Sequence, residues 1–329
     1  MTGVSSRAQA GREHNIIFGG ALMTSTTTPA PRTDYGSPQI RYSPGFPAEH
    51  RRFVEKSIDS MIEHSSAETA RRRADAAERN AITQALYAPL IRLARQDPDT
   101  ADTLRKADDT PVPFDEDLVH PRDTAPHGIH PDATATLDIR AGTEIFAIPY
   151  HFEWAWHDPA GGRPFKLVVD RDNGRVAIDG RAGPKIGGAE EFVYARAGYG
   201  VTLHTDHEVA VTGRSYRTTD DHYSVGCGLG GSAIAEGGTD LTVFENGNFV
   251  TSAVDKRWRK RVSQNETDVY SSNGFGPGAT IEVSWTMRPG NTYTFNVGAF
   301  VYAYRDDGLG NTWSQSSIVA NIIFMSIFR

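Results

Sequence analysis

Glycine divides this chain. Of its 32 glycines in 329 residues, six precede residue 47, 25 follow residue 135, and only Gly128 lies between. A glycine-free backbone loses less conformational entropy on forming a helix, whereas glycine supplies the positive-φ turns that β-structure needs. All five tryptophans (Trp154, Trp156, Trp258, Trp285 and Trp313) fall in the glycine-rich part, and aromatic residues favour strands. The predicted fold class is an all-β C-terminal domain, an antiparallel β-sandwich of jelly-roll type, preceded by an α-helical segment and a disordered leader.

The leader is assigned to residues 1–46, rich in Ser, Thr, Pro and Gly. Its Ile16–Met23 run is a poor signal-peptide core, because Glu13 intrudes and no small-x-small cleavage site follows. Translation starting at Met23 rather than Met1 explains the same pattern. From Ala48 to Ala88 there is neither Gly nor Pro, and Pro47 suits the first turn of a helix. Residues 47–107 are therefore read as the helical segment, either one long helix or a hairpin. The hairpin reading rests on Ser65-Ser66-Ala67-Glu68, an S-x-x-E capping box able to start a second helix. An early apolar stripe (Val54, Ile58, Met61, Ile62) gives way to small residues, and a later one runs through Ile82, Leu86, Leu90 and Leu93. These stripes predict packing on each other or on another subunit. No clean heptad is sustained, which argues against a long coiled coil.

Residues 97–132 hold ten acids against three bases, 3 − 10 = −7, the whole of the chain's net charge. With its prolines, the 108–133 stretch reads as a stiff, self-repelling linker. The 134–329 domain then carries three hairpin signals: Asp172-Asn173-Gly174, Asn246-Gly247 and Arg288-Pro289-Gly290-Asn291. Ser317–Phe328 is apolar on both faces and reads as a central or buried strand.

No coherent catalytic motif emerges. Gly226-Cys227-Gly228-Leu229-Gly230-Gly231 matches G-x-G-x-x-G, but Gly237-Gly238 follows too soon for the helix that would receive a pyrophosphate, so a loop is expected. The single cysteine, Cys227, excludes an internal disulfide and multi-cysteine metal sites. Paired with His222 it lacks the rigid, electropositive setting of a nucleophile. Ser232 lacks a nucleophile elbow. The densest polar cluster is His204, Asp206 and His207, which with His222 forms the alternative metal or acid–base site. His151, Glu153, His157 and Asp158 form a second such set. Both lack cupin ligand spacing.

Two features suggest ligand contact instead. Trp154 and Trp156 alternate with small or polar neighbours, so on a strand they share one face with Phe152, forming either core or a platform for a sugar ring. Lys256, Arg257, Trp258, Arg259, Lys260 and Arg261 set five cations around an indole, suited to a charged sheet edge or to an anionic polymer.

The leading expectation is a non-enzymatic recognition or assembly module, surface-associated, carbohydrate-binding or part of a particle or fibre, attached through its helical segment. The alternative is a β-sandwich enzyme using the His204–His207 site. No cofactor is expected, and the partners expected are a second copy or another protein at the helical segment, with carbohydrate or an anionic polymer as ligand. No apolar run is long enough for a transmembrane helix. Twenty-eight arginines against six lysines indicate a GC-rich coding sequence and a bacterial source. The expected location is the cytoplasm at synthesis, compatible with later release or surface attachment.

Overall fold

Alternating side chains give each strand two usable faces, and the chain stacks its strands as two antiparallel sheets. The computed structural model describes residues 37–100, 102, 142–185, 190–228, 230–263, 265–306 and 311–329. The expected linker and the Ile16–Met23 run lie outside the described residues. In chain order the elements are β1 (Gln39–Tyr42), α1 (Ala48–Gln96), β2 (Glu144–Ala147), β3 (Phe152–His157), β4 (Lys166–Asp170), β5 (Arg175–Lys185), β6 (Glu191–Leu203), β7 (Val209–Gly226), β8 (Ser232–Glu245), β9 (Asn248–Ser263), β10 (Thr267–Met287), β11 (Tyr293–Arg305) and β12 (Thr312–Phe328). The first sheet runs β1-β3-β6-β11-β8-β9. The second runs β10-β7-β12-β5-β4, with β2 beside β12. Residues such as Val201, Val211, Val243, Phe295, Ile318 and Ile322 fill the space between them. The predicted β-sandwich with an N-terminal helix is the architecture observed.

Two of the three hairpins form. Asn246 (φ 51°) and Gly247 (φ 81°) both take the left-handed conformation between β8 and β9, as a two-residue turn demands. Between β4 and β5, Gly174 sits at φ 63°, and the Asp170 carboxylate accepts the backbone N–H groups of Asp172 and Asn173. The third is corrected. β10 pairs with β7 in the second sheet, whereas β11 pairs with β6 and β8 in the first. Arg288–Asn291 therefore carries the chain across the sandwich. A turn signal specifies a reversal, and inter-sheet packing decides which sheet receives the next strand. β12 lies between β7 and β5, a central position that suits its two apolar faces.

Two further expectations change in the helical part. The leader assignment ran too far, because Gln39–Tyr42 forms β1 and pairs with Phe152–Ala155. The hairpin of helices is also absent. α1 continues for 49 residues, about 70 Å, and passes through Pro89. Ser65 does not cap a second helix: its hydroxyl donates to the Met61 carbonyl one turn back, and Thr69 does the same to Ser65.

Candidate functional site

The face of the first sheet that turns away from the second is lined with large aromatics, and α1 lies on it. Val54, Ile58 and Met61 pack against Phe152, Trp154 and Phe244. Ala76 packs with Trp156, Phe192, Tyr194, Tyr302 and Tyr304. Trp154 and Trp156 do share a face, but each is only 1% exposed. That corrects the sugar-platform reading: the rings are the floor of a helix-docking surface and offer no face to a ligand.

Polar side chains pin the helix to this floor. Arg196 of β6 is buried, reaching Ser65 Oγ of α1 at 2.6 Å and Asp240 of β8 at 2.5 Å, with its guanidinium 5.8 Å from the Trp154 ring. Burial alone would lower the Arg196 pKa, but the Asp240 carboxylate overcomes it and raises the value, so the charge is kept. Ser57 shares a 2.8 Å hydrogen bond with Thr294, and Asn80 donates to the Tyr304 hydroxyl at 3.3 Å. Arg72 bridges Glu68 of its own helix and Glu236 of β8, 3.1 Å away, while Arg73 pairs with Glu190 and covers the Phe192 ring.

Glu236 also explains the basic run. It is 1% exposed, and besides Arg72 it meets Lys256 at 2.9 Å and Arg259 at 3.4 Å. Arg257 pairs with Asp221 at 2.9 Å, and Lys260 reaches Asp268 at 3.0 Å and Glu266 at 3.2 Å. Trp258 is buried between the sheets and donates its indole N–H to Ser316 Oγ at 3.0 Å. Arg261 is exposed and makes no ion pair among the described residues. β9 is the edge strand of its sheet, so the charges suit an edge that resists strand addition. Four of the five cations are matched by carboxylates of the same fold, and the indole faces inward. The segment is not a free cationic patch with a stacking ring.

The histidine site does not assemble. His222 lies 13 residues beyond Val209 along β7, about 43 Å from the strand start that adjoins His204 and His207. It is buried, with Nδ1 2.8 Å from Ser271 Oγ. His207 is exposed, and its hydrogen bonds among the described residues go to its neighbours Asp206 and Thr205. His204 instead packs its ring 4.5 Å from His50 of α1. Among the described residues no group of three His, Cys, Asp or Glu side chains is placed to hold a metal ion. In the second set, His157 faces the Asp158 carbonyl, while Glu153 engages both carboxylate oxygens, with Arg41 at 3.2 Å and the Arg171 N–H at 2.8 Å. Burial raises the Glu153 pKa, the two arginines opposing it, and the groove beside it holds only about 180 Å³. Cys227 is buried, and burial pushes its thiol pKa up, the direction opposite to the one that activates a nucleophilic cysteine.

What remains open is the far half of α1. Ile82, Leu86, Leu90 and Leu93 are 65%, 73%, 51% and 67% exposed. At 100° per residue they cluster roughly 100° around the helix from the docked line of Ala76, Asn80 and Tyr87. The early stripe is consumed by the sheet; the later stripe has no apolar cover among the described residues. Its periodicity was legible in the sequence. Glu236, Arg196 and Asp240, which hold the helix in place, carried no such signal, because each is a single charge set among small, apolar or hydroxyl side chains of its strand, with no periodicity to mark it.

No family model matches the sequence, and no curated protein matches it. Solved structures give faint likenesses. An Arthrobacter globiformis T6 isomalto-dextranase complexed with panose is 11% identical, with a TM-score of 0.15, over 55% of this chain and 23% of that one. The T13 particle of the virus IBDV is 9% identical, with a TM-score of 0.09, over 40% of this chain and 39% of that one. The VP2 protein of Infectious Bursal Disease Virus (a D431N mutant forming T=1 particles) is 11% identical, with a TM-score of 0.08, over 39% and 40%. The chain thus spans under half the length of each, and similarity at this level carries no functional argument.

Proposed function

We propose that this protein is a non-enzymatic assembly module: a β-sandwich that holds a long helix rigidly and presents the helix's free apolar stripe to another subunit. The observation that carries this reading is the Ile82–Leu93 stripe, four aliphatic side chains each more than half exposed on a helix whose other face is fixed by aromatics and buried ion pairs. A contiguous exposed apolar patch of this kind marks an association surface. The carbohydrate reading loses its platform with the burial of Trp154, Trp156 and Trp258. The enzyme reading loses its site with the dispersal of His204, His207 and His222. Among the described residues no helix is long and apolar enough to cross a membrane, so the stripe is not part of a helical span.

The test is particle mass by light scattering over a range of concentrations. The wild-type chain is expected to exceed its monomer mass of 36.0 kDa, and the double substitution Leu86→Glu, Leu90→Glu is expected to return it to 36.0 kDa with unchanged circular dichroism. Both positions are exposed, so folding should change little. A wild-type chain that stays at 36.0 kDa at every concentration overturns the proposal.

A further inference from the structure

We infer that the occupant of the stripe is the same stripe of a second copy, the two helices running antiparallel about a two-fold axis near residues 87–88; this rests on the assembly reading above. A two-fold interface uses one patch twice, so the patch must be self-complementary, as a row of aliphatic side chains is. Charge selects the direction. Upstream on the same side of α1 stand the exposed Asp75 and Arg79. A parallel pair would set Arg79 against Arg79 and Asp75 against Asp75, juxtaposing like charges along the seam. In an antiparallel pair, positions face each other when their numbers sum to about 175. Arg79 then meets Gln96 and Asp97 of the second copy, where α1 ends. A cation there is favoured by the carboxylate of Asp97 and by the unpaired carbonyls of the helix terminus.

The overlap also stays confined to the apolar part. With the axis near residues 87–88, the paired stretch is about residues 79–96, and the upstream halves, each docked on its own first sheet, lie beyond the overlap. Each stripe residue removes on the order of 100 Å² from water, or roughly 800 Å² for the eight side chains, before Ala85, Pro89 and Arg79 are added. That falls just short of the lower edge of specific interfaces, near about 1,000 Å² in total, which those flanking residues are needed to reach. The pair should therefore be concentration-dependent and not obligate.

Cross-linking reads the geometry directly. Cys227 is the chain's single cysteine and lies in the core at 4% exposure, so an introduced surface thiol is the reactive one. Two full-length variants are made, Ile82→Cys and Leu93→Cys, each at an exposed position, and oxidised separately and as a mixture. In the antiparallel pair residue 82 faces residue 93, whereas two copies of residue 82 stand 11 residues, about 16 Å, apart along the axis. That exceeds the roughly 7 Å limit for Cα atoms joined by a disulfide. The expected result is a covalent dimer of 2 × 36.0 kDa in the mixture and not in either variant alone. A dimer from Ile82→Cys alone means parallel helices and overturns the inference, as does a non-covalent dimer that gives no cross-link in the mixture. Particles heavier than two chains also overturn it, while leaving the assembly reading standing. A monomer under all conditions overturns both.

Discussion

Asp240→Ala should loosen the docking of α1 more than any surface change. Arg196 and Asp240 have side chains only 10% and 5% exposed and meet at 2.5 Å. Removing the carboxylate leaves a guanidinium that is still charged, buried, and held by its hydrogen bond to Ser65 Oγ. Stranding one member of such a pair costs about 3–5 kcal/mol. The pair itself is incompletely satisfied, since Arg196 Nε and Asp240 Oδ1 are buried without hydrogen-bond partners in the described structure. Replacing both members by apolar residues, Arg196→Met with Asp240→Leu, should therefore recover most of the loss. The assay is urea unfolding followed by circular dichroism, with all four corners of the cycle measured. Limited proteolysis of α1 gives a second readout. If Asp240→Ala costs under about 1 kcal/mol, or if the double variant is as unstable as the single one, the pair is not what pins the helix.

Acidification should weaken the start of α1. Burial first, and His50 second, push the pKa values of His151 and His204 below the ordinary histidine value. The folded state thus prefers both neutral, so stability is full above about pH 6.5 and falls as the pH drops below it. Urea midpoints measured from pH 7.5 to 5.5 should decline, and His50→Asn should flatten the slope; an unchanged slope would count against the histidine contact. Gly237→Ala places a Cβ 2.1 Å from the Trp258 ring, which Ser316 holds, and should cost about 1–3 kcal/mol in the same assay. Trp154→Ala should cost about 3–5 kcal/mol by emptying the floor beneath Val54 and Ile58; a change under 1 kcal/mol would restore Trp154 as an exposed platform. Chelator treatment should leave the thermal midpoint unmoved, and a lowered midpoint would reveal a metal that the described residues are not arranged to hold.

Much of the fold was legible because local chemistry dictates it. Asn246-Gly247 turns the chain in any setting, since its positive φ angles suit few other residues. Alternation in Phe152–Trp156 places three aromatics on one face wherever that strand lies. Arg288–Asn291 shows the limit: the turn was correctly marked, yet its flanking strands went to different sheets. Trp154 and Lys256–Arg261 show the same limit for sites. An aromatic face and a basic run are equally good surface features or interior ones until their neighbours are known. Trp154 meets Ile58 across about a hundred residues of sequence, and Lys256 meets a glutamate on the adjoining strand.

By itself the sequence determined that a glycine-free helix precedes a glycine- and tryptophan-rich sandwich, because backbone entropy and turn geometry act over a few residues. It also marked both apolar stripes of that helix. Tertiary structure alone decided that the helix is unbroken, that its first stripe is spent on the aromatic face of the first sheet, and that the second is left outside. Burial is a property of what stands opposite, and the partners standing opposite α1 come from β3, β6, β8 and β11, brought to it by inter-sheet crossings that no local pattern encodes.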